Sequence, residues 1–307
     1  MPDPTQFAVP SRACIEARVD RFDGTRARPA AEQLAVEEPL EIRIVSGPSG
    51  SRATRSISVT MRTPGHDAEL ALGFLFTEGV LRDVAEVEHM SVGTPELLVG
   101  GSRSAHADQS GQIIFECREA PNVVTAELGP KVKLNAGAIQ RNFFTTSSCG
   151  VCGKASLLAL RAVCPPRRSN DFSIDAAILY RLPASLRAAQ GIFERTGGLH
   201  AAALFDATGA LDTLREDVGR HNAVDKIIGA ALLADRVPLR DRMLLLSGRA
   251  SFELVQKAMM AGIPMIAAVG APSSLAVAVA REFDITLAGF LRDDHFNAYH
   301  GSGRIRS

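Results

Sequence analysis

Two cysteines separated by two residues, Cys149-Gly-Val-Cys152, are the strongest chemical signal in this sequence. Ser147 or Ser148 can cap a helix that carries Leu157, Leu158, Leu160 and Val163 and stops before Pro165 and Pro166. A thiol in the first turn of such a helix meets the positive end of the peptide dipole and free amide donors, and both favour the thiolate. Lys154 adds a positive charge close by. The spacing lets the two sulfurs form a disulfide, share a metal ion or pass a sulfur atom between them.

Three chemistries compete for such a pair. A structural zinc site usually takes four Cys or His ligands, and no second C-x-x-C exists in the chain. A thioredoxin-type role is expected near a βαβ unit, whereas this pair lies mid-chain and the sequence contains no Trp. A zinc-dependent deaminase joins a His- or Cys-x-Glu to a later Pro-Cys-x-x-Cys. Cys117-Arg118-Glu119 stands upstream at a workable distance, but Ser148 replaces the proline. Cys117 also ends a strand-like run, where a buried cysteine is the commoner outcome. Spacing alone leaves metal, redox and sulfur-carrier readings open.

A second cluster joins Thr196-Gly-Gly-Leu-His200 to Asp217-Val-Gly-Arg-His-Asn222. Glycines, an arginine and two histidines beside a helix N-terminus suit a phosphate or carboxylate. Two ordinary turns with solvated charges would read the same way. Asp225 and Lys226 are expected on a solvated helix face.

The elements that must position these residues follow from periodicity. Residues 1–35 are rich in Arg, Ala and Pro without a period and read as a loose tail. Leu40, Ile42 and Ile44, then Ile57, Val59 and Met61, alternate with polar residues around Gly47-Pro-Ser-Gly50, which predicts a strand pair. Asp67 is expected to cap a helix over Glu69–Thr77. Strand-like runs follow at 96–99, 112–117 and 122–128. Further on come a helix over 174–190 and a hairpin of 200–205 with 211–215, turning at Asp206-Ala-Thr-Gly209. Met243–Leu246, Met265–Val269 and Ile285–Phe290 are continuous apolar runs typical of strands buried on both faces. Helical segments at 252–261 and 274–283 separate them, so parallel strands with right-handed crossovers are expected. Ligands of such sheets sit beyond the carboxyl ends of the strands. Here those ends are Ser247–Ser251, Gly270–Ser274 and 291–294.

Bulk properties exclude several classes. Lys plus Arg (34) equals Asp plus Glu (34), so no net field recruits nucleic acid or an anionic membrane. The N-terminus lacks the basic and apolar blocks of a signal peptide. The most apolar stretch, 265–280, is interrupted and short of the roughly 20 residues a membrane span needs. Five cysteines are too few for a disulfide scaffold, and reduced thiols in a cytoplasmic compartment are expected.

From about Thr60 to Gly301 the sequence resembles the FdhD family of formate dehydrogenase accessory sulfurtransferases. The resemblance rests on Thr63-Pro-Gly-His-Asp-Ala-Glu69 with Gly73-Phe-Leu, Ser148-Cys-Gly-Val-Cys-Gly153, and Thr196-Gly-Gly-Leu-His200. It continues through Glu216-Asp-Val-Gly-Arg-His-Asn222, Ser247-Gly-Arg249, Gly262-Ile-Pro264, and Gly289-Phe-Leu-Arg292 with Phe296-Asn297. It implies an α/β fold: a β-rich N-terminal subdomain over 36–135 and a cytidine-deaminase-like α/β domain over 136–307, assembled as a homodimer. It also implies a role. The protein would take persulfide sulfur from a cysteine desulfurase and sulfurate a molybdenum bis(molybdopterin guanine dinucleotide) cofactor for the formate dehydrogenase apoprotein, with no permanently bound metal. Cys149 would hold the persulfide and Cys152 would assist. The guanine nucleotide of the cofactor is expected at Arg249 and Ser251, at Ser273 and Ser274, and at the loop Phe290, Leu291, Arg292, Asp293, Asp294 and His295, helped by Gly219, Arg220 and His221. A zinc-dependent deaminase-like hydrolase and a non-catalytic cofactor chaperone are the alternatives.

Overall fold

The computed structural model describes residues 10, 12–93, 122–132 and 172–307. Cys117, Cys149, Cys152, the runs at 96–99 and 112–117, and the helix expected after Ser148 lie outside the described residues.

The N-terminal part begins with β1 (Cys14–Asp23) and β2 (Arg26–Ala35), followed by β3 (Glu38–Ser46), β4 (Ala53–Arg62), α1 (Asp67–Thr77), β5 (Val87–Val92) and β6 (Val123–Leu128). The expectation of a loose tail is corrected here. β1 and β2 form an antiparallel hairpin in full register from Cys14↔Ala35 to Asp23↔Arg26. Its turn is Gly24-Thr25, and Gly24 supplies the positive φ that the tight reversal requires. The predicted pair β3–β4 is observed inside a four-stranded sheet of order β4-β3-β6-β5. Alternation puts Leu40, Ile42 and Ile44 on its inner face, all fully buried.

The C-terminal part comprises β7 (Ile174–Asp175), α2 (Ala176–Leu179), α3 (Leu182–Ala189), α4 (Gly191–Thr196), β8 (His200–Phe205), β9 (Leu211–Asp217) and α5 (Arg220–Leu233). It continues with β10 (Met243–Leu246), α6 (Phe252–Met260), β11 (Met265–Ala268), α7 (Ser274–Glu282), β12 (Thr286–Gly289), β13 (Asn297–His300) and β14 (Ile305–Arg306). The single helix expected over 174–190 is therefore two short ones, broken at Tyr180-Arg181, with Pro183 in the first turn of the second. Proline has no amide hydrogen and cannot sit deeper in a helix, so it starts one here.

Six strands form the main sheet in the order β13-β12-β11-β10-β8-β9. β10, β11 and β12 are parallel, as expected from βαβ crossovers. The continuous apolar runs are explained by burial on both faces. Ala202, Leu204, Leu244, Leu246 and Ile266 face one apolar cluster, while Ala201, Ala203, Phe205, Met243, Leu245 and Met265 face a second, beneath α2 and α3. Each such Leu, Ile, Phe or Met contributes about 1.5–3 kcal/mol when fully buried. The first cluster also takes in Leu40, Ile42, Leu70, Leu75, Val224 and Ile227, so the four-stranded sheet, α1, α5 and the main sheet share one core. Together these features make the mixed α/β fold, with its β-rich N-terminal part, that was expected.

Helix α1 and helix α5 cross at backbone distance. A Cβ at Gly73 would lie 1.9 Å from the Asp225 carbonyl oxygen, and one at Gly229 would lie 1.8 Å from that of Glu69. Only paired glycines allow this approach. Enclosed by α1 and the main sheet, α5 is buried all round from Asn222 to Gly229. Asp225 and Lys226 are thus not on a solvated face; both are 1% exposed.

Candidate functional site

Strand direction gathers the site. Leu246, Ala268 and Gly289 end the three parallel strands at one edge of the sheet. β8 runs antiparallel to β10, pairing Ala202 with Leu246, so its first residue, His200, starts at that same edge. β9 runs antiparallel to β8 and pairs Asp217 with His200, so β9 ends there too. The two motifs at 196–200 and 217–222 are thereby brought beside the strand-end loops, as loop segments of one rim.

Hydrogen bonds tie the loops to one another. The Gly270 amide donates to the Gly248 carbonyl (2.9 Å), the Ser273 amide to the Ala250 carbonyl (3.0 Å), and the Phe290 amide to the Gly270 carbonyl (3.1 Å). Among the expected contact residues, Ser273 caps α7 by accepting from the Ala276 amide (3.2 Å). Ser274 is an exposed residue of that helix, and Ser251 precedes α6. Arg249 is exposed on its loop. In the 290–295 loop Leu291 is buried, and Arg292 Nη1 is held by the Val269 and Leu291 carbonyls at 2.7 and 2.8 Å. Asp293, Asp294 and His295 are exposed. Phe290 has φ 54° and is 39% exposed, an aromatic ring displayed from a left-handed backbone that bulky residues rarely adopt.

His200, one of the two histidines of the cluster expected to suit a phosphate or carboxylate, is the first residue of β8. Its imidazole lies against Gly248, whose absent Cβ would stand 3.3 Å from Nδ1. Burial, then Arg220 and His221, hold its pKa below the ordinary value, against the pull of Asp217. The imidazole is therefore neutral near pH 7. His221 Nε2 stands 3.8 Å from a Glu253 carboxylate oxygen and draws that carboxyl down to about 2, with burial opposing. Arg220 Nε is shut off from solvent without a hydrogen-bond partner among the described residues. His200 of β8 and Arg220 and His221 at the N-terminus of α5 are groups whose chemistry suits an anionic or polar ligand. Among the described residues, no group of three or more His, Cys, Asp or Glu side chains could hold a metal ion.

Behind this rim sits a buried polar network. Asp217, fully buried, is 2.6 Å from Lys226 Nζ. Its Oδ1 accepts from the Gly219 amide (2.8 Å) and Asn222 Nδ2 (3.0 Å), and its Oδ2 accepts from the Thr63 amide (3.2 Å). Thr63 Oγ1 accepts from the Val218 amide (3.2 Å), and the Thr63 carbonyl accepts from Lys226 Nζ (2.9 Å). Next to Asp217, the Glu216 carboxylate accepts from the Ile192 and Phe193 amides (2.9 and 2.7 Å) and so anchors α4, which leads into the 196–200 segment. Helical periodicity gave no signal for this network, because the side of α5 that bears Asp225 and Lys226 is buried by elements distant in sequence, and charges buried there must be paired inside.

With this geometry in place, comparison decides the family: residues 35–306 match the FdhD/NarQ family. The chain belongs to the FdhD/NarQ family. A sulfur carrier protein FdhD of Mycolicibacterium paratuberculosis is 48% identical over 289 residues, covering 94% of this chain and 97% of that protein. One from Saccharolobus solfataricus is 36% identical, covering 94% and 98%. The crystal structure of a proposed formate dehydrogenase accessory protein from Desulfotalea psychrophila aligns with TM-score 0.66 at 20% identity, covering 95% of this chain and 99% of that one, and so shares the fold.

Proposed function

We propose that this FdhD/NarQ chain is a sulfur carrier that receives sulfur on Cys149 and delivers it to a molybdenum cofactor destined for formate dehydrogenase. The observation that carries the reading is the Cys149-Gly-Val-Cys152 pair, in a chain similar over nearly its whole length to proteins named sulfur carriers. In the receiving step the Cys149 thiolate attacks the terminal sulfur of a cysteine desulfurase persulfide. The donor S–S bond breaks, the donor leaves as a thiolate, and Cys149 keeps the transferred sulfur as its own persulfide. Cys152 is the second thiol of the relay. The acceptor is a substrate, the bis(molybdopterin guanine dinucleotide) molybdenum cofactor, and the chain works in the cytoplasm as a homodimer.

The strand-end rim supports the nucleotide half of this reading. Arg220, His221 and the Gly219 turn present donors at a helix N-terminus to phosphate oxygens. The displayed Phe290 ring suits stacking on a nucleobase, worth about 1–3 kcal/mol in single-stranded nucleic-acid complexes. The decisive experiment incubates the full chain with a cysteine desulfurase and cysteine and weighs its peptides. One added sulfur on the Cys149 peptide, absent in Cys149→Ala, is expected. A wild-type chain that gains no sulfur overturns the carrier role. Full formate dehydrogenase activation by the Cys149→Ala/Cys152→Ala chain would make it a non-catalytic chaperone instead.

A further inference from the structure

Among the buried charges, one pair touches the candidate site from behind. The Asp217 carboxylate receives donors from two parts of the chain that are far apart in sequence. The Gly219 amide and Asn222 Nδ2 reach it from the turn that leads into α5, and the Thr63 amide reaches it from the segment after β4. Lys226 closes the arrangement, bonding Asp217 at 2.6 Å and the Thr63 carbonyl at 2.9 Å. Asn222 extends it to β4, donating to the Met61 carbonyl at 2.7 Å and meeting Thr60 Oγ1 at 3.2 Å. The segment held in this way, Val218–His221, runs from the bend at Val218-Gly219 into the first residues of α5, Arg220 and His221. Neither charge of the pair faces solvent, so neither can contact a ligand directly. A buried pair of this kind gives little net stability but fixes geometry, because each charge tolerates few alternative arrangements.

We propose that Asp217 and Lys226 are positioning residues, which lock Val218–His221 onto the Thr63 segment and thereby set the anion-binding geometry of the rim. The inference rests on the nucleotide-binding reading above for its affinity readout, and on Val218–His221 itself for a second. A control is built into the same helix. Asp225 is paired with Lys257 at 3.0 Å, equally buried, but on the side facing Thr77 and Glu78. Among the described residues, none of the hydrogen bonds of Lys257 goes to residues 218–221, so Lys257→Met leaves Asp225 without its ion-pair partner while keeping the bonds that hold that segment.

The test uses the full chain and guanosine diphosphate as the probe, with calorimetric affinity, melting temperature and amide exchange measured together. Asp217→Asn and Lys226→Met are expected to weaken affinity about tenfold or more, since small misplacements of positioning groups are costly. The double variant Asp217→Asn/Lys226→Met leaves no uncompensated charge, so its melting temperature should recover towards wild type while its affinity stays weak. Lys257→Met should lower the melting temperature and leave affinity within about twofold, as expected for sites without shared partners. Recovery of affinity in the double variant, or equal weakening by Lys257→Met, overturns the proposal. A wild-type chain that does not bind the probe counts against the nucleotide reading instead. Amide exchange at Val218, Gly219 and Thr63 then decides: faster exchange in Asp217→Asn than in Lys257→Met upholds the lock, and equal rates overturn it.

Discussion

Glu69 shows how single charges hold the two parts of this molecule together. It sits in the first turn of α1, and Arg215 of β9 grips it through two hydrogen bonds of 2.6 and 2.8 Å. Burial alone would push its carboxyl up, but Arg215, helped by His66, outweighs burial and carries it from an ordinary 4.5 down to about 2. The sign follows directly. A carboxyl that titrates lower in the folded chain adds stability that is full above about pH 4.5 and lost as pH falls towards 2. Glu69→Gln should therefore lower unfolding stability by about 2–3 kcal/mol at pH 7. Urea titrations should show the gap from wild type narrowing between pH 5 and pH 3; a gap that is independent of pH would show that the ion pair is not its source. Asp67, expected to cap α1, does something else. Its carboxylate takes a bidentate pair from Arg62 at 3.0 and 2.9 Å, and the residue before the helix is His66, in a left-handed conformation. A helix-capping pattern and an ion-pair partner look alike in sequence, because an acidic residue in the first turn serves either purpose.

At the scale of elements, the crossing of α1 and α5 is the joint on which the site depends. Gly73 and Gly229 meet the opposing backbones at distances that no Cβ can occupy, and the contacts are carbonyls rather than flexible side-chain ends. Overpacking usually costs about 1–3 kcal/mol, and backbone contacts have less room to yield. Gly229→Ala should thus cost about 3 kcal/mol or more, read as a lower urea midpoint, and Gly73→Ala should do the same. A wild-type midpoint in either variant would mean that the helices can separate freely. The parallel unit was legible because strands buried on both faces need continuous apolar runs, and Met243–Leu246 and Met265–Ala268 have them. The helix α5 was legible only in part. Val224, Ile227, Ile228 and Ala231 recur at helical spacing in the sequence and mark one apolar stripe, but burial on the remaining side comes from α1, more than 140 residues away in sequence, and local periodicity does not report it. For the same reason Asp225 and Lys226 read as surface charges, and His200 could be placed beside Gly248 only once strand order was known.

The whole molecule divides into a body with a shared core and an arm that leaves it. The arm, β1 and β2, displays Ile15, Phe22 and Leu34, which are 58%, 70% and 47% exposed. A two-stranded hairpin is marginal in water by itself, so it must be held at its base. That base is small. Ala13 packs with Ile192 and Leu199 beside Cys14, Ala35 and Val218, and the Val36 amide donates to the Ala13 carbonyl at 2.9 Å. None of the side chains in the two large clusters belongs to the arm. The absence of a hydrophobic period in residues 1–35 agrees with the exposure of Ile15, Phe22 and Leu34, but gives no sign that residues 14–23 and 26–35 pair with each other. A chain that begins at Glu37 should consequently fold, keeping its far-UV spectrum and one cooperative melt. Uncovering Ile192 and Leu199 should lower the melting temperature by roughly 3–10 °C, at about 2–4 °C per kcal/mol for a domain of this size. Loss of the cooperative transition would instead mean that the hairpin is part of the folding unit. If the truncated chain also kept its affinity for guanosine diphosphate, the arm would be separable from the rim even though its base touches both rim motifs, where Ala13 packs with Leu199 and Cys14, Ala35 and Val218 close around them.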